Sequence, residues 1–365
     1  HVVCRRQRQM CIRDRVDTLS RRIYTINVKD LTTGKLYPDK IDGVNSSTTW
    51  ASDSQTMFYT GKDRQTLRSD KIFRHSLGES QDDDILVYEE KDETFSTFVY
   101  PSKSREYIMI GSSSTMATEY RFLSSKTPLE PFKIIQKRER GLEYSPSHVG
   151  DMFYISTNID ESTNFKLVKT PISSTEKSNW KDVIPHREDV LLEDTDFFND
   201  FMVIGERSNG LLKIRIKSWD GKEDYYLDLS GQFDFDNETY SASIGYNPNF
   251  KTNILRYNFT SLTTPYSVID YNLITKSDQV KKQQVVLGGS FDSKNYTSER
   301  VFATAHDGVQ IPISIVKHID TELNPNTPLL QYGYGSYGYT RDPSFSSIRL
   351  SLLDRGFVFA IAHVR

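Results

Sequence analysis

Tyrosines and glycines alternate in one short run late in the chain, residues 332–338 (YGYGSYG). Glycine lets a backbone turn tightly and approach a ligand closely, and the tyrosine phenol is a hydrogen-bond donor that stays protonated near neutral pH. The run follows an apolar stretch, residues 328–331, so it is typical of a loop that leaves a β-strand. Such a loop could donate hydrogen bonds to an oxygen atom on which negative charge develops.

The residues around the loop predict the elements that hold it. Residues 328–332 predict a buried strand, and residues 343–356 predict a helix with Pro343 at its start and Gly356 as its stop signal. The apolar residues at helical spacing are Phe345, Ile348 and Leu352. Residues 357–364 (FVFAIAHV) are almost continuously apolar, which predicts a strand covered on both faces. A Tyr/Gly loop alone is more often a flexible turn, but this β–α–β setting favours a functional site.

Residues 298–365 resemble the start of the catalytic domain of the prolyl oligopeptidase family of serine peptidases, and within that family oligopeptidase B, also called protease II. The motifs that carry the resemblance are PLLQYGYGSYG at residues 328–338 and LSLLDRGFVFAIAHVR at residues 350–365. It implies an α/β-hydrolase domain capped by a seven-bladed β-propeller. It also implies that Tyr334 donates its hydroxyl to the oxyanion hole, where one donor contributes about 2.7 to 4 kcal/mol.

Two further strands are predicted before the loop, at residues 301–305 and 311–317. The intervening HDG sequence suits a hairpin turn, so His306 and Asp307 are interpreted as turn residues and not as a catalytic pair. In α/β-hydrolases one oxyanion donor comes from the loop after the third strand, and on this count residues 332–338 form that loop.

Upstream, short aromatic strands alternate with polar turns and show hardly any helical periodicity. A polar turn followed by a strand recurs at intervals of 46 to 53 residues, near Phe58, Tyr107, Phe153, Met202 and Leu255. A period of this size predicts propeller blades, because one four-stranded blade cannot bury both faces alone. An irregular array of β-sandwiches is the alternative. Residues 255–272 (LRYNFTSLTTPYSVIDYN) resemble a blade of the family and favour the propeller.

The predicted fold class is therefore mainly β. Residues 16–290 are expected to form an incomplete seven-bladed propeller with about five to six blades, and residues 291–365 the first strands and helix of an α/β-hydrolase domain. We expect the chain to be truncated at both ends. Residues 1–15 (HVVCRRQRQMCIRDR) hold both cysteines and five arginines, and we found no family resemblance in them, so we predict a non-native leader.

Composition argues against several classes of partner. The formal net charge is −3, and without the arginine-rich residues 1–15 the rest is more acidic, so no basic stripe for nucleic acid is expected. No membrane segment is evident, and the compartment is predicted to be the cytoplasm or the periplasm. The seven dispersed histidines have no metal-ligand spacing, so neither a metal nor a cofactor is expected. The acidic run at residues 82–84 is interpreted as a solvated turn.

The nucleophile of an α/β-hydrolase stands in a G-x-S-x-G motif, with Asp and then His following in the chain. Residues 288–292 (GGSFD) come nearest but lack the closing glycine, so Ser290 is not expected to be a nucleophile. His363 falls in the predicted buried strand and is interpreted as a packing or hydrogen-bonding residue. We therefore expect the Ser-Asp-His triad to lie beyond residue 365.

The resemblance implies that the intact protein is a serine-type oligopeptidase. It would hydrolyse short peptides after Arg or Lys through an acyl-enzyme, as a monomer or a dimer, while this fragment is inactive. One alternative is a prolyl-specific or other oligopeptidase of the same family. The other is a noncatalytic β-propeller that acts as a binding scaffold.

Overall fold

Antiparallel β-sheet makes up most of the regular structure. The computed structural model describes residues 11–17, 20–229, 239–289, 291–336 and 339–364. These residues form six sheets and one α-helix, and the chain divides into two compact units, residues 1–186 and 187–365. The prediction of a mainly β fold is confirmed.

The first unit contains three antiparallel sheets. Sheet one consists of β1 Cys11–Val16, β2 Tyr24–Asp30, β3 Leu36–Trp50, β4 Thr56–Lys62, β5 Ser69–Ser76 and β6 Ile85–Glu89. Sheet two consists of β7 Ser96–Pro101, β8 Tyr107–Ser113, β9 Thr118–Ser124 and β10 Lys133–Gln136. Sheet three consists of β11 Tyr144–Val149, β12 Met152–Thr157, β13 Lys166–Pro171 and β14 Lys181–Ile184. Short 3₁₀ turns lie at Gln81–Asp83 and Lys177–Asn179.

The second unit contains the other three sheets and the helix. Sheet four consists of β15 Val190–Phe197, β16 Phe201–Ser208, β17 Leu211–Ser218 and β18 Asp224–Tyr226. Sheet five consists of β19 Tyr240–Ile244, β20 Ile254–Ser261, β21 Ser267–Asn272 and β22 Ser277–Gln283. Sheet six consists of β23 Tyr296–Thr304, β24 Gln310–His318, β25 Leu329–Gly333 and β26 Val358–Ala362, and α1 Ser347–Leu353 joins its last two strands. A 3₁₀ turn, Ser293–Asn295, precedes β23.

The repeat that the sequence predicts is present as a repeat of four antiparallel strands. Residues 107, 153, 202 and 255 all lie in the second strand of a four-stranded sheet. Phe58 lies in β4, which is the second strand of the four strands β3–β6 of sheet one. The 15-residue β3 pairs with β2 through its first half and with β4 through its second half. Strands β3–β6 therefore form a blade-like repeat. The total of seven blades stays a prediction.

Apolar residues on adjacent sheets pack against each other. Phe58 and Ile72 of sheet one share a core with Ile108 of sheet two, and Phe122 of sheet two shares another with Phe153 of sheet three. In the second unit, the core of sheets four and five contains residues such as Val203, Ile216, Tyr257 and Ile269. Because adjacent sheets within a unit share these cores, the arrangement within each unit is propeller-like.

A buried charge cluster stabilises sheet one. The His75 ring, 1% exposed, lies between two carboxylates, 2.6 Å from an oxygen of Asp84 and 2.9 Å from an oxygen of Asp39. The Tyr59 hydroxyl donates to Asp84 at 2.7 Å, and the Gly78 amide donates to Asp39 at 2.6 Å. The prediction that residues 82–84 are a solvated turn is thus wrong for Asp84, because this strand arrangement places its side chain against a buried histidine.

The predicted leader, residues 1–15, overlaps the first strand of sheet one. Strand β1, Cys11–Val16, pairs antiparallel with β2, Tyr24–Asp30, through six consecutive residues. Residues 1–10 lie outside the described residues. That residues 1–15 are foreign to the protein stays a prediction. The pairing of β1 with β2 shows that at least residues 11–15 are part of sheet one.

The β–α–β unit predicted for residues 328–364 is present, with β25 and β26 parallel. Strand β26 is fully buried, as predicted, and Gly356 ends the helix region with φ +82°. The helix begins at Ser347, later than predicted, and Phe345 before it makes contacts outside the helix. Its amide donates to Thr260 Oγ1 at 3.1 Å, and its ring meets Phe291 edge-on.

The predicted apolar face of the helix is wrong for Ile348, whereas Phe345 lies before the helix and Leu352 is half-buried. Ile348 is 85% exposed, whereas Leu353 is 1% exposed and packs in a core with Val316, Phe359 and Ile361. The face that packs on the sheet carries Leu353 and the partly buried Leu350, three residues apart, and Ile348 does not belong to it.

Candidate functional site

Two parallel strands bring the candidate residues to one edge of sheet six. In the register of β25 and β26, Tyr332 lies opposite Ile361 and Gly333 opposite Ala362. The chain leaves both strands at their carboxyl ends, so Tyr334 follows β25 and His363 follows β26 at the same edge of the sheet. Ligands of open α/β sheets bind at such carboxyl edges.

Tyr334 lies at the start of the loop with its side chain partly open to solvent, at 42% exposure. Its ring meets the ring of Tyr339 edge-on, with centroids 6.0 Å apart. The backbone amide of Tyr339 donates to the carbonyl of Ser336 at 3.1 Å. The arrangement leaves the phenol available as a donor to a bound molecule. Tyr337 and Gly338 lie outside the described residues.

Two expectations about the start of the loop are wrong. Strand β25 is an edge strand whose five residues are all exposed in the structure, so Tyr332, at 43% exposure, does not end a buried strand. Gly333 has no left-handed backbone and pairs as an ordinary strand residue, so it does not supply the tight turn. A Cβ atom added there would lie 3.7 Å from Val364, an ordinary contact. The loop proper therefore begins at Tyr334.

His363 is held by hydrogen bonds and burial. Its Nε2 lies 2.8 Å from the hydroxyl oxygen of Ser314, and its backbone amide donates to Pro312. Burial, with the positive charge of Arg300, lowers the pKa of His363 and favours its neutral form. It lies one residue beyond β26, not within the strand as predicted, but its hydrogen-bonding role agrees with the interpretation. Ser290 lies outside the described residues, and His306 and Asp307 lie in the exposed turn between β23 and β24.

An ion pair near the loop, between Arg207 and Asp342, is not predicted from the sequence. Arg207, on β16 of sheet four, binds both carboxylate oxygens of Asp342 at 2.6 and 3.2 Å, and it also pairs with Glu193. Arg207 and Asp342 are 135 residues apart in sequence. No local pattern could have joined them, because only the folding of sheets four and six within one unit brings them together.

The described residues contain neither a recognisable metal centre nor a membrane helix. Among them, no group of three or more His, Cys, Asp or Glu side chains is arranged to hold a metal ion. In the same part of the chain, no helix combines the length and hydropathy that a membrane span requires.

Antiparallel sheets that pack against each other within each unit, with a β–α–β unit at the end of the second, define the chain as a protein with a propeller-like domain. Residues 5–284 match the family model described as the prolyl oligopeptidase N-terminal β-propeller domain. The match includes residues 5–15, so the expectation that residues 1–15 lack any family resemblance is wrong for that part. The chain belongs to the prolyl oligopeptidase family.

Known proteins similar to the chain carry peptidase names. Dipeptidyl aminopeptidase BI of Pseudoxanthomonas mexicana is 41% identical over 350 residues, which cover 96% of this chain and 47% of that protein. Protease 2 of Moraxella lacunata is 33% identical over 344 residues, covering 94% and 48% of the two chains. The solved structure of oligopeptidase B from Leishmania major superposes with a TM-score of 0.87 at 31% identity, covering 98% of this chain and 50% of that one. The chain thus spans about half the length of these relatives.

Proposed function

We propose that the complete protein is a serine oligopeptidase and that Tyr334 donates a hydrogen bond to the oxyanion of its tetrahedral intermediate. The enzyme hydrolyses short peptides after Arg or Lys through an acyl-enzyme. It works in the cytoplasm or the periplasm, as a monomer or a dimer. The nucleophile, base and acid lie outside these 365 residues, so the chain by itself is inactive.

The observation that carries the proposal is the position of Tyr334 in a chain of this family. Its partly exposed phenol stands at the carboxyl edge of a parallel strand pair, directly after β25. When a serine attacks a peptide carbonyl, the carbonyl oxygen becomes an anion. A hydrogen-bond donor beside that oxygen stabilises the anion more than the neutral carbonyl. The donor then lowers the energy of the transition state more than that of bound substrate.

The test is Tyr334→Phe in the complete enzyme, which removes one oxygen atom. We expect kcat to fall by about 10² to 10³, as for the loss of one oxyanion donor, with KM nearly unchanged. Tyr332→Phe and Tyr337→Phe are the matched controls and should retain most activity. If Tyr332→Phe is the crippled variant and Tyr334→Phe has a normal kcat, Tyr334 is not the oxyanion donor.

A second candidate follows from the relative with 41% identity, which is named a dipeptidyl aminopeptidase. An enzyme of that kind needs a free amino terminus two residues from the scissile bond, whereas an oligopeptidase accepts a blocked one. The complete enzyme should be assayed on dipeptidyl aminomethylcoumarin amides ending in Arg, Lys or Pro, each with a blocked or a free amino terminus. Cleavage of blocked Arg and Lys substrates supports the oligopeptidase, and cleavage of free forms alone supports the aminopeptidase. Preference for Pro supports a prolyl-specific enzyme, and no cleavage supports a binding scaffold.

A further inference from the structure

We propose that Arg207 and Asp342 position the loop that carries Tyr334, so that sheet four determines where the oxyanion donor stands. The inference rests on the proposed function, because it concerns how Tyr334 is placed. Arg207 and Asp342 are positioning residues and contact no substrate in this proposal.

The ion pair has the geometry of a restraint. Two guanidinium nitrogens of Arg207 bind two carboxylate oxygens of Asp342, at 2.6 and 3.2 Å. A bidentate pair of this kind restrains orientation as well as distance. The two side chains are only 12% and 25% exposed, so water competes weakly for them. Burial alone lowers the pKa of Arg207, but Asp342 and Glu193 outweigh it and raise the pKa, so the guanidinium remains charged.

Asp342 belongs to the segment that contacts Tyr334 and its neighbour. Three residues before Asp342, the Tyr339 ring packs edge-on against Tyr334. One residue before it, the Arg341 guanidinium lies 5.6 Å from the centroid of the Tyr332 ring. A displacement of Asp342 would therefore shift Tyr339, which packs against Tyr334, and Arg341, which lies over Tyr332.

Sheets four and five hold this region at further points. Arg300 of β23 donates to the carbonyl of Asn209, in the turn between β16 and β17. Three residues after Asp342, the Phe345 amide donates to Thr260 at the end of sheet five. Loss of the Arg207–Asp342 pair would thus release Asp342, while the hydrogen bond of Phe345 keeps the chain in place three residues later. We expect a misplaced loop and not an unfolded unit.

The experiment is a double-mutant cycle in the complete enzyme. Arg207→Met and, as an isosteric second variant, Asp342→Asn are each made with Tyr334 present and with Tyr334→Phe, and kcat and KM are measured. With Tyr334 present, we expect kcat to fall by about 10² at most, the cost of a misplacement near 1 Å, with KM little changed. In the Tyr334→Phe background, the same substitutions should change kcat by less than about 3-fold, because the donor they position is already absent.

The matched control is the Arg256–Asp270 pair of sheet five, which is also bidentate, with distances of 2.7 and 2.9 Å. Arg256→Met removes a similar pair within sheet five and should leave kcat unchanged. Equal losses of kcat from Arg207→Met in both backgrounds, or an unchanged kcat with Tyr334 present, would overturn the inference while the proposed function stands. A normal kcat for Tyr334→Phe would instead refute the proposed function.

Discussion

The buried histidine of sheet one offers the most direct test of the physical reasoning on the chain itself. We predict that His75→Leu lowers the free energy of unfolding by about 3 to 5 kcal/mol, the usual cost of breaking a buried ion pair. Leucine fills most of the space of the ring, so the loss is chiefly electrostatic. Asp39 would keep the Gly78 amide and Asp84 the Tyr59 hydroxyl, but both carboxylates would lose their cation.

The pH dependence distinguishes a charged His75 from a neutral one. Burial alone would lower the pKa of His75, but the hydrogen bonds and charges of Asp84 and Asp39 outweigh burial and raise it. A raised pKa in the folded state contributes stability that is fully present below the unfolded pKa, about 6.5, and lost as pH rises through the folded pKa. The difference in unfolding free energy between wild type and His75→Leu should therefore be larger at about pH 6 than at about pH 9.

The assay is urea unfolding followed by tryptophan fluorescence, with stability taken from the midpoint and slope. Trp50 packs in the core of sheet one and is 8% exposed, so it reports on this region. The control is His148→Gln in the same unit. His148 is 3% exposed and bonds Ser104 at 2.7 Å, and burial lowers its pKa. Its contribution should be lost as pH falls, the opposite direction to that of His75.

A loss below about 1 kcal/mol for His75→Leu would refute the argument, since that is the cost of a surface pair. A difference that grows as pH rises would refute it as well, because it would mean that His75 is neutral in the folded state.

Three further predictions follow from the structure. Gly111→Ala should lower the unfolding free energy by about 1 to 3 kcal/mol, because its Cβ would lie 2.4 Å from the Phe98 ring; Gly289→Ala, with nothing within 4 Å, is the urea-unfolding control. The chain as given should show no covalent labelling by a fluorophosphonate probe, and labelling at Ser290 or Ser336 would contradict the proposal that the nucleophile lies outside these residues. The chain should bind a dye for apolar surfaces, since Leu329 is 57% and Ile348 85% exposed; Ile348→Lys should reduce that fluorescence, and an unchanged signal would show that Ile348 does not contribute to dye binding.

Local patterns in the sequence predicted the repeated strands, the last buried strand and the end of the helix. Strand alternation and a 46-to-53-residue spacing predicted the repeated sheets, because burial on a strand has a period of two and each blade needs its neighbours. The run at residues 357–364 predicted a buried strand, and Gly356 predicted the helix stop, since glycine adopts a left-handed backbone without strain. The position of Tyr334 just after a strand was predicted in the same way, while its role in the oxyanion hole stays a prediction.

Tertiary structure alone decided which distant side chains meet. The acidic run at residues 82–84 predicts a solvated Asp84, whereas the fold places Asp84 against His75, and nothing in the sequence around Asp342 indicates its pairing with Arg207. The start of the helix and the exposure of β25 also depended on contacts made elsewhere in the second unit. The physical reason is that local patterns encode backbone conformation and the burial of one face, whereas the partner of a charged side chain depends on which strand the fold brings beside it.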